Sequence, residues 1–446
     1  MTVISILGAG RSCGPLIDYL ASHPDSGNWK IEVYDMNAEA IADKTDKHPE
    51  VQGETCDLSE ISEVEQVVKH ADIVVSMLPA FMHVPVAELC VHYRKHMVTA
   101  SYASPEMKAM DKLAKDHDVA LINEVGVDPG IDHMSTMSLL NTLRAKGAVI
   151  KGYESFTGGI LAPESEDNPW HYKFTWNPRN VVLAGSGGAV KFIHGGKHKH
   201  IPYHQVFRRT EFLEIPGYGR FEGYANRDSL KYIDTYGLTD IETMYRGTLR
   251  RPGFCRAWDV FVKLGATDDS YQMEGVASMT HRDFLNSFLA YHPTDSIELK
   301  LMHYLGIPQD SDLLDKLEWL GLFNDEIVGI ETGSPAQVLQ HILDKRWHMT
   351  DDDVDMLVML HLIDYELNGE MRRVQSSMVA KGKSRHETAM AFTVGVPVGI
   401  ATALLAQGQI QGRGIQLPIT EEFYVPIMKE MARLGLRFHE DDQLMS

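Results

Sequence analysis

Three glycines follow the first apolar run of the chain at spacings that could bind a phosphate group. The segment from Gly8 to Gly14 reads GAGRSCG and begins where a strand-like pattern gives way to a helical one. Gly8 permits a tight turn, and Gly10 lets a pyrophosphate approach the backbone at the positive end of the helix dipole. The motif is irregular, because Cys13 stands where a third glycine is usual. Its position after the first predicted strand still favours dinucleotide binding over a purely structural turn.

Asp35 ends the second predicted strand, where a carboxylate can select between two dinucleotides. Such a carboxylate accepts hydrogen bonds from the 2′-hydroxyl of the adenosine ribose and repels a 2′-phosphate. No arginine or lysine occurs from Val33 to Ala42 to hold that phosphate. The sequence therefore favours NAD over NADP, and the alternative is that Asp35 only begins a turn.

Two residues after the third predicted strand complete the cofactor hypothesis. Asp57 and Leu58 would neighbour the adenine, or else cap the helix that follows. The predicted cofactor-binding residues are Gly8, Gly10, Arg11, Ser12, Cys13, Asp35, Asp57, Leu58, Leu78 and Pro79.

Two side chains that could handle protons follow the fifth and sixth predicted strands. Tyr102 comes after the fifth, and Asp128 lies in a Gly-Val-Asp-Pro-Gly turn after the sixth. Ligands of doubly wound folds bind at this carboxyl edge, where a carboxylate can stabilise a cation and a phenol can relay a proton. The alternatives are a turn-forming aspartate and a tyrosine packed under the cofactor. Asp132 and His133 are predicted to begin the next helix, with His133 as a second candidate base.

The elements that would position these residues change in character along the chain. Up to about residue 130, short β-branched runs alternate with helical stretches, which is typical of βαβ units. Glycine, proline and aromatic residues are frequent from Tyr153 to Phe254, which indicates a mixed sheet with functional loops. A helical pattern is predicted from Ser296 to Leu367. The tail from His386 onward alternates again and is expected to pack back onto an earlier domain.

These patterns predict an α/β protein of three parts. A Rossmann domain with a doubly wound parallel sheet covers residues 1–130, and the segment 386–446 returns to it. A mixed α/β substrate-binding domain covers 131–290 and 368–385, and a helical insertion subdomain covers 291–367. The uncharged stretch from Thr388 to Ala406 is predicted to be a buried strand or helix, since glycines and a proline interrupt it.

Composition limits the partners and the compartment. The net charge of −20 disfavours nucleic acids and anionic membranes as partners. The four cysteines lie far apart and no targeting signature precedes the first strand, so a reducing, cytoplasmic location is expected. No metal site is predicted, because the only histidine-rich segment carries lysines and no carboxylate or thiolate. Its histidines are His194, His198, His200 and His204.

The segment from Asn123 to His133, NEVGVDPGIDH, resembles the signature of the saccharopine dehydrogenases that release glutamate. Other blocks agree in the same order over nearly the whole chain. They are SY at 101–102, GG at 158–159, APE at 162–164, YKFTW at 172–176, NRDS at 226–229, RGTLR at 246–250 and TVGVP at 393–397.

The resemblance implies both a reaction and an assembly. Members of the family transfer hydride from the lysine ε-carbon of saccharopine to the nicotinamide, and water then releases glutamate and 2-aminoadipate semialdehyde. The resemblance also implies a homodimer whose mixed α/β domain serves dimerisation. It strengthens the catalytic role predicted for Asp128, and Tyr102 remains the second predicted catalytic residue from its position at the sheet edge.

Three carboxylates on the substrate need anchors, and arginine forks suit them. From Arg208 to Arg256 there are nine basic and seven acidic residues, a local reversal of the acidic total. Fungal biosynthetic members have a cysteine where this chain has Thr157, so no thiol-dependent step is expected there. The predicted substrate-binding residues are Ser101, Tyr102, Asp128, Thr157, Trp176, Asn226, Arg227, Arg246, Thr248 and Arg250.

Three alternatives to NAD-dependent saccharopine oxidation remain open at this point. The first is the reverse, NADPH-dependent reduction in lysine biosynthesis, against which Asp35 argues. The second is another amine dehydrogenase on the same scaffold, such as the carboxynorspermidine type. The third is a non-catalytic dinucleotide sensor, which Tyr102, Asp128 and the arginines disfavour.

Overall fold

The chain divides into two compact units. The computed structural model describes residues 1–445. The first unit contains Met1–Val149 and Met378–His439, and the second contains Ile150–Ser377 together with the residues from Glu440 onward.

The first unit begins with six rounds of strand and helix. The elements are β1 Thr2–Leu7, α1 Cys13–Ala21, β2 Trp29–Asp35, α2 Ala38–Thr45, β3 Gln52–Thr55, α3 Ile61–His70, β4 Ile73–Ser76, α4 His83–Tyr93, β5 His96–Val98, α5 Pro105–Ala109, α6 Asp111–Asp116, β6 Ala120–Ile122 and α7 Ile131–Ala145. This order agrees with the alternation of strands and helices predicted up to about residue 130.

The second unit continues from β7 to β14. Its elements are β7 Val149–Leu161, α8 Pro178–Val182, β8 Val190–His194, β9 Lys197–Ile201, β10 Thr210–Ile215, β11 Gly219–Ala225, α9 Tyr232–Tyr236, β12 Thr243–Arg250, α10 Phe254–Leu264, α11 His281–Asn286, α12 Ile297–Leu305, α13 Asp312–Trp319, α14 Pro335–Trp347, β13 Asp355–Leu367 and β14 Glu370–Lys381. The chain ends with α15 Ala389–Ala406, β15 Gly414–Gln416, α16 Glu421–Arg433 and β16 His439–Leu444.

A seven-stranded sheet organises the first unit. Its order is β15-β6-β5-β4-β1-β2-β3, and every neighbouring pair is parallel. The residues of β4 are all buried, as expected for a central parallel strand covered by helices on both faces. The predicted Rossmann architecture is confirmed, and β15 shows that the C-terminal tail returns to this sheet.

A mixed sheet organises the second unit. Its main path is β10-β11-β12-β7-β13-β14-β16, and β8 and β9 extend it beside β12. The pair β12–β7 is parallel, whereas β10–β11 and β11–β12 are antiparallel. This agrees with the mixed sheet predicted for the middle of the chain.

Two predictions about elements were wrong. The helical pattern assigned up to Leu367 ends with α14, and residues 355–367 form β13 in the mixed sheet. The segment 386–446 does not return as a whole, because β16 joins the mixed sheet and groups with the second unit. The boundaries between the units accordingly fall at residues 149, 377 and 439, instead of those expected.

Helix α15 is the uncharged segment singled out in the sequence. By length and composition it is the one helix of residues 1–445 that could cross a membrane, yet 78% of the relevant window is buried inside the fold. It packs along α1, as the core helix of a globular domain does.

Candidate active site

The glycine loop of the first unit joins β1 to α1. Gly8 has a φ of +101°, and its backbone N–H donates to the carbonyl of Tyr34 at 2.8 Å. A Cβ atom there would approach the Met77 carbonyl, so a side chain would be strained as well as crowded. A Cβ on Gly10 would meet no atom within 4 Å, which leaves open space above the loop. Helix α1 then begins without a side-chain cap on its N–H groups, as an anion site requires.

The side chains of the loop have different surroundings. Arg11 is exposed and Ser12 is half-buried. Cys13 is fully buried, and burial raises the pKa of its thiol to about 12. The side chain at the usual third glycine position therefore packs into the core as an inert thiol.

Asp35 lies beside the loop, at the end of β2. Its Oδ2 accepts from the Ala9 N–H at 2.7 Å, and its Oδ1 accepts from the Asn37 N–H at 2.9 Å. Each carboxylate oxygen retains capacity for one more donor. The carboxylate is thereby fixed at the strand end where it was predicted to face the adenosine ribose.

The other predicted cofactor residues take three different positions. Asp57 is half-buried and accepts from the N–H and the hydroxyl of Ser59, and these hydrogen bonds lower its pKa. Leu58 is buried in the core, whereas Leu78 is half-buried near Gly8 and Pro79 is exposed. Asp57 therefore forms a turn, and Leu58 packs in the core of the unit.

The two residues assigned to proton handling lie together. Tyr102 follows β5, Asp128 follows β6, and the Tyr102 hydroxyl donates to Asp128 Oδ1 at 3.1 Å. Both side chains are half-buried, so a ligand can reach them. A phenol hydrogen-bonded to a carboxylate can hold or pass a proton at the carboxyl edge of the sheet.

Glu124 supports this pair and was not predicted. It is buried, its Oε1 accepts from the Ala103 N–H at 3.0 Å, and its Oε2 lies 2.8 Å from His133 Nε2. Burial raises the pKa of Glu124, but the hydrogen bond and charge of His133 outweigh it, so the pKa is lowered overall. Glu124 thus ties the chain next to Tyr102 to the first turn of α7. Its position inside the NEVGVDPG segment was the only sequence signal.

His133 and Asp132 lie at the start of α7, as predicted. His133 is completely buried against Glu124, and Asp132 Oδ1 accepts from the Gly130 N–H at 2.6 Å. Because His133 has no solvent-exposed surface, it fits a supporting role better than the role of second candidate base.

One face of the mixed sheet carries the predicted carboxylate anchors. Arg246, Thr248 and Arg250 alternate along β12 and therefore point to the same face. On β7, Thr157 lies directly beside Thr248 in the register. The second unit thus places two guanidinium groups and two hydroxyls on one strip of sheet.

Arg250 is a buried cation without an acidic partner in residues 1–445. It is 3% exposed, its Nη1 donates to the Leu249 carbonyl at 3.0 Å, and its Nε has no hydrogen-bond partner. Rings of Tyr172 and Phe254 flank the guanidinium. Within residues 1–445 it forms no ion pair with a carboxylate. Buried charges are otherwise almost always paired, so this position calls for an anion.

The remaining predicted anchors are more varied. Arg246 is buried, with its guanidinium over the Tyr232 ring at 4.2 Å. Asn226 is half-buried after β11, whereas the Arg227 side chain is exposed. Trp176 is half-buried in the loop before α8 and is not a core residue of the sheet. These predicted anchors therefore range from buried to exposed.

The histidine-rich segment forms the hairpin β8–β9 and the turn after it. His194, His198 and His200 are exposed on the hairpin. In the described part of the chain, no three His, Cys, Asp or Glu side chains are grouped to hold a metal ion.

Two family models match this chain. A model described as the saccharopine dehydrogenase NADP binding domain matches residues 4–122. A model described as the saccharopine dehydrogenase C-terminal domain matches residues 126–436.

Curated relatives and a solved structure agree with these models. The chain is 30% identical over 436 residues to "Saccharopine dehydrogenase [NADP(+), L-glutamate-forming]" of Saccharomyces cerevisiae, covering 96% of each chain. It is 31% identical to "Alpha-aminoadipic semialdehyde synthase, mitochondrial" of Mus musculus, covering 98% of this chain but 47% of that protein. This chain therefore spans about half the length of the mouse relative. The apo saccharopine dehydrogenase (L-Glu forming) from S. cerevisiae superposes with a TM-score of 0.89 at 28% identity, covering 99% of this chain and 100% of that one.

Proposed function

Because this chain belongs to the saccharopine dehydrogenase family, L-glutamate-forming, we propose that it oxidises saccharopine with NAD to L-glutamate and 2-aminoadipate 6-semialdehyde. The observation that carries the proposal is Arg250, a buried guanidinium with no carboxylate partner in residues 1–445. A substrate carboxylate would supply the missing negative charge. Saccharopine carries three carboxylates, and Arg246 and Thr248 on the same strip of β12 offer further donors.

The residues of the first unit fit a nicotinamide dinucleotide. The turn at Gly8, the open space above Gly10 and the uncapped start of α1 suit a pyrophosphate. The carboxylate of Asp35, fixed by two backbone N–H groups, suits the ribose hydroxyls. When bound, the dinucleotide supplies the acceptor for a hydride.

Asp128 and Tyr102 supply the proton chemistry that the reaction needs. As the C–H bond of the lysine ε-carbon breaks, the secondary amine loses its proton, and Asp128 Oδ1 or the Tyr102 hydroxyl beside it accepts that proton. One water then adds to the imine carbon. Collapse of the adduct breaks the carbon–nitrogen bond, giving the aldehyde and the amino group of glutamate. The same pair returns a proton to the leaving nitrogen.

We propose NAD rather than NADP because of Asp35. A 2′-phosphate beside β2 would meet a carboxylate that the Ala9 and Asn37 N–H groups hold in place. The name of the S. cerevisiae relative specifies NADP(+), and the family model that matches residues 4–122 describes an NADP binding domain. Preference for NADP would thus keep the reaction and overturn the role given to Asp35.

The test is a saccharopine oxidation assay with NAD and NADP supplied separately. Reduced cofactor is followed by absorbance, and glutamate and semialdehyde are quantified in the same samples. The proposal expects one glutamate per reduced cofactor. Release of lysine, or no turnover with either cofactor, would contradict it.

Two further expectations are part of the proposal. We propose that the chain forms a homodimer and acts in the cytoplasm. Light scattering of the purified protein tests the first, and fractionation of source cells tests the second.

A further inference from the structure

A buried histidine connects two strand ends below the active-site edge of the first unit. His83 begins α4 and is 3% exposed. Its Nδ1 lies 2.8 Å from the Ser76 hydroxyl, and its Nε2 lies 2.7 Å from the Ser101 hydroxyl. Ser76 ends β4 and Ser101 follows β5, so one imidazole links the carboxyl ends of neighbouring strands.

The surroundings keep this imidazole neutral. Burial lowers the pKa of His83 to about 4. A neutral imidazole has one donor and one acceptor nitrogen, so each of the two serine hydroxyls meets a nitrogen of defined character. Thr99 completes the network, because its Oγ1 accepts from the Ser101 N–H at 3.3 Å.

Ser101 directly precedes Tyr102 and is half-buried, whereas His83 is enclosed. The hydroxyl of a serine can occupy three staggered rotamers, and in the structure Ser101 has the one that places its hydroxyl 2.7 Å from Nε2 of His83. A lone pair or proton of that hydroxyl remains for a ligand at the sheet edge.

We infer that His83 is a positioning residue, which acts on saccharopine by holding the Ser101 hydroxyl in its substrate-binding rotamer. This inference rests on the proposed function and on the prediction from the sequence that Ser101 binds the substrate. Its rival is a purely structural role, in which His83 only connects β4 and β5.

Two substitutions separate these roles, because each keeps one of the two hydrogen bonds. His83→Gln places an amide near the position of Nε2 and retains a partner for Ser101. His83→Asn places its amide near Nδ1 and retains only Ser76. The readouts are KM for saccharopine, kcat, and the affinity for the reduced dinucleotide measured by fluorescence.

The inference expects KM for saccharopine to rise about tenfold in His83→Asn and less than about threefold in His83→Gln, since one oriented hydrogen bond is lost only in the former. Dinucleotide affinity should not change in either variant. In the Ser101→Ala background, His83→Asn should raise KM no further, because the residue through which it acts is gone. Equal increases in KM in His83→Asn and His83→Gln would overturn the inference. A further increase in KM when His83→Asn is added to Ser101→Ala would also overturn it.

Two additional measurements do not depend on these variants being active. Ser76→Ala removes only the hydroxyl that contacts Nδ1 of His83. Like His83→Asn, it should raise KM for saccharopine. In a crystal structure of His83→Asn, the Ser101 hydroxyl should leave its parental rotamer. A retained rotamer contradicts the inference whether or not saccharopine is the substrate, whereas an inactive parent enzyme contradicts the proposed function alone.

Discussion

Tyr102 and Asp128 are 26 residues apart and share a hydrogen bond because β5 and β6 are neighbours in a parallel sheet. Parallel strands bring their carboxyl ends to one edge, so residues that follow different strands converge there. Glu124 and His133 fix the backbone around this pair. Under the proposed function, the two residues that handle the proton are therefore held in place by buried groups.

Asp128→Asn should lower kcat at least about 100-fold, because the amide cannot accept the amine proton. Dinucleotide affinity should stay within about twofold, because Asp128 follows β6 whereas the glycine loop follows β1. Stopped-flow reduction of the cofactor measures the effect. Tyr102→Phe, which leaves the carboxylate of Asp128 intact, is the matched variant and should lower kcat less than Asp128→Asn does. Normal turnover in Asp128→Asn would remove Asp128 from the chemistry.

Asp35→Asn should shift cofactor preference towards NADP. The amide keeps an acceptor for the Ala9 N–H and removes the charge that repels a 2′-phosphate. The ratio of kcat/KM for NAD to that for NADP should fall at least about tenfold. Glu39→Gln removes the same charge from the first turn of α2 and serves as the control. If both variants change the ratio equally, the effect is one of net charge, and Asp35 has no specific role.

Folding stability should depend on pH through His83. The ordinary pKa of 6.5 applies to the unfolded chain, and burial lowers the folded value to about 4. Between these values the unfolded chain binds a proton that the folded chain does not, so stability falls as pH decreases from 6.5 towards 4. The loss is on the order of 3 kcal/mol relative to His83→Gln, measured by urea unfolding at each pH. His92→Gln, at an exposed position of α4, should behave like the parent. If the free energy of unfolding changed equally with pH in the parent and in His83→Gln, the imidazole of His83 would take up a proton in the folded chain as readily as in the unfolded chain.

Helices α1 and α15 meet at glycines directly behind the dinucleotide loop. A Cβ on Gly395 would collide with the backbone oxygen of Ser12, whereas a Cβ on Gly399 would lie 3.0 Å from the Tyr19 ring. A backbone oxygen cannot move without the loop, but a side chain can rotate. The buried helix α15 thus packs directly against the backbone of the glycine loop and helps to fix its position.

Gly395→Ala should therefore weaken dinucleotide binding and destabilise the fold, with a cost of about 2 kcal/mol or more from overpacking. In Gly399→Ala, the gain of up to about 1 kcal/mol in helix propensity offsets part of a smaller clash. Thermal unfolding and dinucleotide titration of both variants measure the difference. If both variants changed stability and dinucleotide affinity equally, the glycine loop would be able to move away from a side chain on α15.

The strand β13 shows where sequence patterns fail for an element. Its first nine residues are buried without interruption, because the strand lies inside the mixed sheet with both faces covered. A strand of this kind shows no alternation of polar and apolar residues, so its period cannot be told from that of a helix. By contrast, β1 to β6 were predictable, because turn residues and amphipathic helices separate them at regular intervals.

The whole chain carries a net charge of −20 and nevertheless buries guanidinium groups in its second unit. Arg250 lies there without an acidic partner in the described residues, and such a charge costs stability. Its neighbour Arg251 has the usual arrangement, with Nε 2.5 Å from Glu166 Oε1 and Nη1 3.0 Å from the Tyr218 carbonyl. Under the proposed function, these adjacent arginines have different roles, because Arg250 binds a ligand and Arg251 stabilises the fold.

Arg250→Met should raise KM for saccharopine by at least about tenfold, which corresponds to loss of a charge-assisted hydrogen bond. It should leave the ligand-free chain equally stable or more stable, because it removes an uncompensated buried charge. Arg251→Met, the matched control, should destabilise the chain by about 2 kcal/mol or more, since it removes the buried guanidinium that pairs with Glu166. Calorimetric unfolding of both variants measures these changes in stability. Strong destabilisation by Arg250→Met would show that its role is structural.

Much of the candidate site could be predicted at the level of residue types. The glycine loop, Asp35, Tyr102 and Asp128 were predictable because their order relative to the strands fixes their place at the sheet edge. The burial of Leu58 and the supporting roles of Glu124 and His83 were not predictable, because burial and partners depend on long-range packing. The alternation on β12 was readable from RGTLR, yet the absence of an acidic partner for Arg250 in residues 1–445 required the fold.

The most direct test of the proposed reaction uses saccharopine deuterated at the ε-carbon of its lysine moiety. The purified chain is mixed with this substrate and NAD, and mass spectrometry measures deuterium in the reduced nicotinamide together with the amino acid released. The proposed chemistry predicts one deuterium per reduced cofactor and an equal amount of unlabelled glutamate. Reduced cofactor without deuterium, or labelled lysine as the product, would contradict it.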